Sequence, residues 1–213
     1  MDADSLAAAV RRQLALGRLL PLGGAADGAW ITEAAAADAL RRAAASVPGV
    51  RLGALRLSPA RPGGTHAPVV PPPPSALPPG RLRIEAELTA SGDQPLRPAA
   101  ERLRVRLLAA AREGLGLAVE AVDLRVTGLL DGAPEPSPHA GPPRKPGPAP
   151  SIPGVSGLAP VLGIAPADEG HRQVQIAVAD GFRALDVALA VRRALTGGPV
   201  RTVAVVVTST GAP

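Results

Sequence analysis

The chain has 213 residues, with 26 Pro, 24 Gly and no Cys: room for one ordinary domain or two small ones on connectors, and no disulfide framework, thiolate nucleophile or thiolate metal site. Hydrophobic residues make up 46% of it, yet Trp30 and Phe182 are its only aromatics, so a core must be built from closely packed Ala, Val and Leu. The formal charge is +5, but of 23 basic residues only Lys145 is a lysine, and the arginines are spread along the chain, which argues against the clustered basic footprint of a nucleic-acid binder.

At the amino terminus, Asp4 is placed to cap a short helix whose Leu6, Val10 and Leu14 recur every four residues, with Gly17 past its end. This stretch begins with acids and lacks the apolar core of a secretory signal, and no apolar run approaches the ~20 residues of a membrane span. The expectation is a soluble, cytoplasmic protein. "GRLLPLGGAADGAW" reads as turns, and Thr32 then caps a second helix, with Glu33 in its first turn and Ala36, Leu40, Ala43, Ala44 and Val47 in an apolar stripe. Pro48 and Gly49 stop it, and Val50 opens a strand with an expected bulge at Gly53.

Residues 58–80 hold nine Pro and read as a solvated polyproline connector. Beyond it, Leu82, Ile84, Ala86 and Leu88 alternate with Arg83, Glu85 and Glu87 in a strand with one buried face. A helix with Leu96, Ala100, Leu103, Leu107 and Ala110 on one side follows, ended by Gly114 and Gly116, and Val122, Leu124 and Val126 alternate in another strand. A second connector, 133–150, has eight Pro. The pattern then returns: a strand with Val174, Ile176 and Val178, a helix with Ala184, Val187, Ala188, Val191 and Leu195, and an apolar strand at 203–207.

"SVPGV" at 46–50 and "SIPGV" at 151–155 open the two stretches alike: Pro ends what precedes, Gly permits the turn, Val begins a strand. The expected fold is α+β, with two related strand-strand-helix-strand modules joined by Pro-rich linkers, the first preceded by an Ala-rich helix. The boundaries are a lead-in over 1–27, a first module over 28–132 with its insertion at 58–80, a linker over 133–150 and a shortened second module over 151–213. Pro48, Gly49 and Val50, with Pro153, Gly154 and Val155, are the structural turns. The second module has no helix of its own ahead of the turn, and "VAVVV" has no polar alternation. Val203, Val205 and Val207, together with Trp30, are therefore candidate partner contacts, to be covered by the first module, the N-terminal helix or another chain.

"GAWITEAAAADALRRAAASVPGV", followed by "LRIEAELTASGDQPLRPAAERLRVRLLAAAREGLGLAVEAVDLRVTGL", resembles the alkaline shock protein family, the envelope stress response proteins of Gram-positive bacteria. The likeness spans about residues 28–130, with a degenerate echo over 151–210, and consists of an order of packing and turn positions. It implies a small α+β module without enzymatic activity, abundant under envelope stress, self-associating and held near the membrane by a separate anchor protein. The Pro-rich insertion and the shortened second copy depart from the pattern; the Ala and Arg richness points to an actinobacterial version.

No set of reactive groups converges in the sequence, so no catalytic, cofactor-binding or metal-ligating residue is assigned. His66, His139 and His171 lie in or beside connectors without ligand spacing, and Ser46 and Ser151 lack a nucleophile elbow or a nearby base. Glu85 with Glu87 reads as a solvated strand face, Asp168–Glu169 has no catalytic context, and the Gly pairs at 23–24, 63–64 and 197–198 read as turns. "GVSG" at 154–157 has the form of an RNA-clamping loop but lacks flanking helices. The expected function is protein–protein or self-association in the cytoplasm, peripheral to the membrane only through a partner. A nucleic-acid-binding module and a small-ligand sensor using the seam between modules are the alternatives.

Overall fold

A computed structural model of the chain describes residues 17–61, 63–130, 151–158, 170–197 and 200–212. The N-terminal helix expected before Gly17 and the linker 133–150 lie outside the described residues. The fold is α+β, with two sheets and three helices among the described residues. In chain order its elements are β1 (Leu19–Leu22), β2 (Ala29–Thr32), α1 (Glu33–Ala44), β3 (Val50–Pro59), β4 (Leu82–Ser91), α2 (Leu96–Ala109), β5 (Val119–Leu130), β6 (Val155–Leu158), β7 (His171–Ala179), α3 (Ala184–Leu195) and β8 (Thr202–Ala212).

Local chemistry sets the boundaries of α1 and α2. The Thr32 hydroxyl accepts the Ala35 N–H at 3.2 Å and caps α1, which opens on Glu33 and closes on Arg41 and Arg42, in accord with the helix dipole. Helix α2 runs into a π-helical turn over Ala110–Leu115, which stops at Gly116 in the left-handed conformation (φ 90°). A Cβ at Gly116 would stand 2.4 Å from the Leu185 Cβ of α3, so the bare backbone lets the end of α2 meet the start of α3.

The first sheet has the order β3-β4-β5, with β3 antiparallel to β4 and β4 parallel to β5. The expected bulge near Gly53 is present as a register shift between Leu52 and Leu55. The second sheet has the order β1-β2-β8-β7-β6. Within it β6 is antiparallel to β7 and β7 parallel to β8, the same order and pairing senses as in the first. Strands β1 and β2 extend this sheet through a parallel pairing of Ala29–Ile31 with Val205–Val207. Sequence periodicity gave neither of these two short strands, because Pro21 and the surrounding glycines read as turns. Pro21 is tolerated in β1 since that strand is an edge of the ladder.

The three helices form a layer between the sheets. Leu20, Leu22 and Ile31, with Val203, Val205 and Val207, face Ala36, Leu40 and Ala44 of α1 and Ala188 and Val191 of α3, and the same buried cluster continues through Leu103 and Leu107 of α2 to Leu82, Ile84 and Leu88 of β4. The buried Ala residues of α1 allow a close approach to β8, which compensates for the shortage of large side chains.

The insertion is not the solvated connector expected from its nine prolines. Its backbone is tied down: Leu77 N–H donates to the Leu19 carbonyl at 2.8 Å, and Val69 N–H to the Ala25 carbonyl at 3.0 Å. The Trp30 Nε1–H donates to the Leu77 carbonyl at 3.4 Å, and Val70 is fully buried with Leu19, Trp30, Ala204 and Val206 in a second, smaller cluster on the outer face of the five-stranded sheet. Proline removes donors without removing carbonyls or apolar surface, so a Pro-rich segment can lie over a sheet as a lid. Val69 and Val70 give the test. Val70→Asp is expected to cost roughly 3 kcal/mol or more in urea denaturation, because it buries a charge without a partner. Val69→Asp, at a position 70% exposed, is expected to change stability by less than about 0.5 kcal/mol.

Candidate functional site

The four candidate partner contacts are all placed inside the chain. Trp30 is 1% exposed, and Val203, Val205 and Val207 are fully buried. These residues are therefore unavailable as a surface: β2 lies beside β8, while α1 and α3 cover its valines on the inner side. Of the covers considered for this strand, the first segment supplies the one seen among the described residues, and Trp30 packs on the opposite face of the same sheet. The Arg42 guanidinium adds a polar tie, donating to the Thr210 carbonyl and hydroxyl at 2.9 Å each.

Both Pro-Gly-Val turns are formed, with Gly49 at φ 72° and Gly154 at φ 85°. Their surroundings differ. A Cβ at Gly49 would meet the far end of one long side chain, the Gln94 amide at 2.5 Å, whereas one at Gly154 would meet Val187 Cγ2 at 2.6 Å and the Phe182 ring at 2.7 Å.

The remaining singled-out polar residues do not converge. Ser46 Oγ donates to the Ala43 carbonyl at 2.7 Å and accepts from Arg106 Nε, as a helix-end residue does. His171 Nδ1 lies 2.8 Å from Thr202 Oγ1 across the β7–β8 pair, and His66 lies in the insertion. Glu85 and Glu87 occupy the outer face of β4, where Arg56 stands opposite Glu85 and Gly53 of the bulge lies against Glu87. "GVSG" lies in the turn and in the edge strand β6. His139, Asp168 and Glu169 lie outside the described residues. Among the described residues no group of three or more His, Asp or Glu is placed to hold a metal ion, and no helix is long and apolar enough to cross a membrane.

The seam between the two segments is tightly closed where α2 meets α3, with Gly116 against Leu185 and the Arg183 guanidinium donating to the Arg112 carbonyl. The surface feature that the sequence did not reveal is the free edge of β5. Among the described residues this strand pairs only with β4, so no described strand satisfies the backbone groups along its other side. Its first half is covered: Arg104 Nε donates to the Val122 carbonyl at 3.2 Å and Arg112 Nε to the Val119 carbonyl at 3.1 Å. The second half has no such cap from α2 among the described residues, and it carries Val126 (43% exposed) and Leu129 (62% exposed). Alternation marked this strand in the sequence, but which of its edges is paired depends on sheet order, which periodicity does not encode.

Compared with family models, with curated proteins and with solved structures, the chain matches none.

Two predictions follow from the burial of β8 and from the turns. Residues 151–213 expressed alone should aggregate, since β2 and α1 are missing, and co-expression with residues 1–130 should restore a soluble complex on size-exclusion chromatography. Gly154→Ala should lower stability by about 2 kcal/mol or more and Gly49→Ala by roughly 1 kcal/mol, measured by thermal and urea unfolding. The difference arises because only the first adds a clash with packed side chains to the left-handed backbone cost.

Proposed function

We propose that the chain is a non-catalytic cytoplasmic protein of the envelope-stress type, acting by association with a second copy of itself through the open half of β5. The observation that carries this reading is the uneven protection of that strand: arginine side chains cap its first half, while its second half presents backbone and exposed Val126 and Leu129. An edge strand in that condition is a template for strand addition. Antiparallel pairing of two copies centred near Val126 sets Arg125 opposite Thr127 and Asp123 opposite Leu129, so no like charges meet.

The shared order and pairing senses of β3-β4-α2-β5 and β6-β7-α3-β8 support the reading of two related copies. On this reading any location near the membrane comes from an anchored partner.

Sedimentation equilibrium over micromolar to submillimolar protein tests the proposal. The wild-type chain should dimerise, and Val126→Lys with Leu129→Lys should raise the dimer dissociation constant at least tenfold with an unchanged circular-dichroism spectrum. Val69→Lys, on an exposed residue of the insertion, should leave it unaltered. A wild-type chain that stays monomeric throughout refutes self-association.

A further inference from the structure

The insertion does more than cover Trp30. Its two arms are laced together: Ala60 N–H donates to the Arg81 carbonyl at 2.8 Å, His66 N–H to the Pro79 carbonyl at 2.7 Å, and Thr65 pairs with Gly80. Between these arms, the turn after β1 and the start of β5 lies a cleft of about 640 Å³, within the size range of small-molecule sites. Much of its wall is bare backbone, supplied by glycines at 23, 24, 64 and 80. Gly80 is required there, since a Cβ would stand 2.8 Å from the Gly64 carbonyl oxygen.

The charged groups on this wall are Arg61, Arg81 and Glu120, with the His66 imidazole beside them. Arg61 Nη2 pairs with Glu120 Oε1 at 2.6 Å, but the Arg61 side chain is 74% exposed, and an ion pair that open to water exchanges partners readily. The Arg81 guanidinium has no ion pair or side-chain hydrogen bond among the described residues. The pinned loop thus holds one uncommitted guanidinium and one loosely committed one around a single cleft. A planar guanidinium matches the two oxygens of a carboxylate or phosphate.

We propose that this cleft binds a small molecule through an oxyanion group, with Arg81 as the principal contact and Arg61 as the second, competed for by Glu120. The site uses neither Val126 nor Leu129, so it stands or falls apart from self-association through β5.

Isothermal titration calorimetry of the full chain, with inorganic phosphate and succinate as phosphate and carboxylate probes, tests the assignment and distinguishes the two headgroups. Saturable binding of at least one probe is expected. Arg81→Ala should weaken it at least tenfold, and Glu120→Gln should tighten it severalfold by freeing Arg61, a gain that loss of folding cannot mimic. Arg97→Ala, an exposed cation of α2 outside the cleft, should leave it unchanged. The proposal is overturned if neither probe binds at millimolar concentration, if Arg81→Ala has no effect, or if Arg97→Ala weakens binding as much as Arg81→Ala does.

Discussion

The whole structure turns on one strand without a polar face. From Val203 to Val207 every side chain of β8 is buried, so both surfaces of the sheet at that point need cover. Among the described residues, the segment that carries β8 supplies only α3 as a helical cover. The other cover comes from far away in sequence: α1 on the inner side, β2 along the edge, and Trp30 with Val70 of the insertion on the outer side. Each fully buried valine contributes roughly 1.5 to 3 kcal/mol only if these distant pieces arrive, so this requirement holds both segments to one core.

The arginines complement this aliphatic interior. Several spend their donors on backbone carbonyls: Arg18 on Leu57, Arg104 on Val122, Arg112 on Val119 and Arg192 on Ala26. A planar group with five donors at the end of an apolar stem can lie over aliphatic surface and still reach a carbonyl at a strand edge or loop. In a chain with almost no aromatic residues to shield such places, the guanidinium takes over part of that shielding. The strand half that receives none stands out for the same reason.

Much of the secondary structure was legible from periodicity and caps. The alternation of Leu82, Ile84, Ala86 and Leu88, the Thr32 cap, the stop at Gly116 and the bulge near Gly53 each rest on interactions between near neighbours, which a sequence displays directly. Partner choice between strands was not legible. Leu19–Leu22 and Ala29–Thr32 are four residues each, too short for alternation to be distinguished from turn chemistry, and their stability derives from β8 rather than from themselves. The insertion misled for a related reason, since counting prolines says which donors are lost and nothing about which carbonyls and methyl groups find a surface. The cleft was equally hidden, because Arg61, Arg81 and Glu120 become neighbours only after the arms of the insertion close.

The parallel pairing of β2 with β8 also bears on how the chain reaches its final state. Among the described elements, one of the earliest in the sequence lies beside the latest, so the closing of the larger sheet carries the entropy of a very long loop and waits on the end of the described chain. During synthesis Trp30, Ile31 and the alanine face of α1 emerge well before the strand they will flank. Until then the nascent chain holds an unfinished apolar groove open to solvent, a stage at which a holding chaperone would find its target.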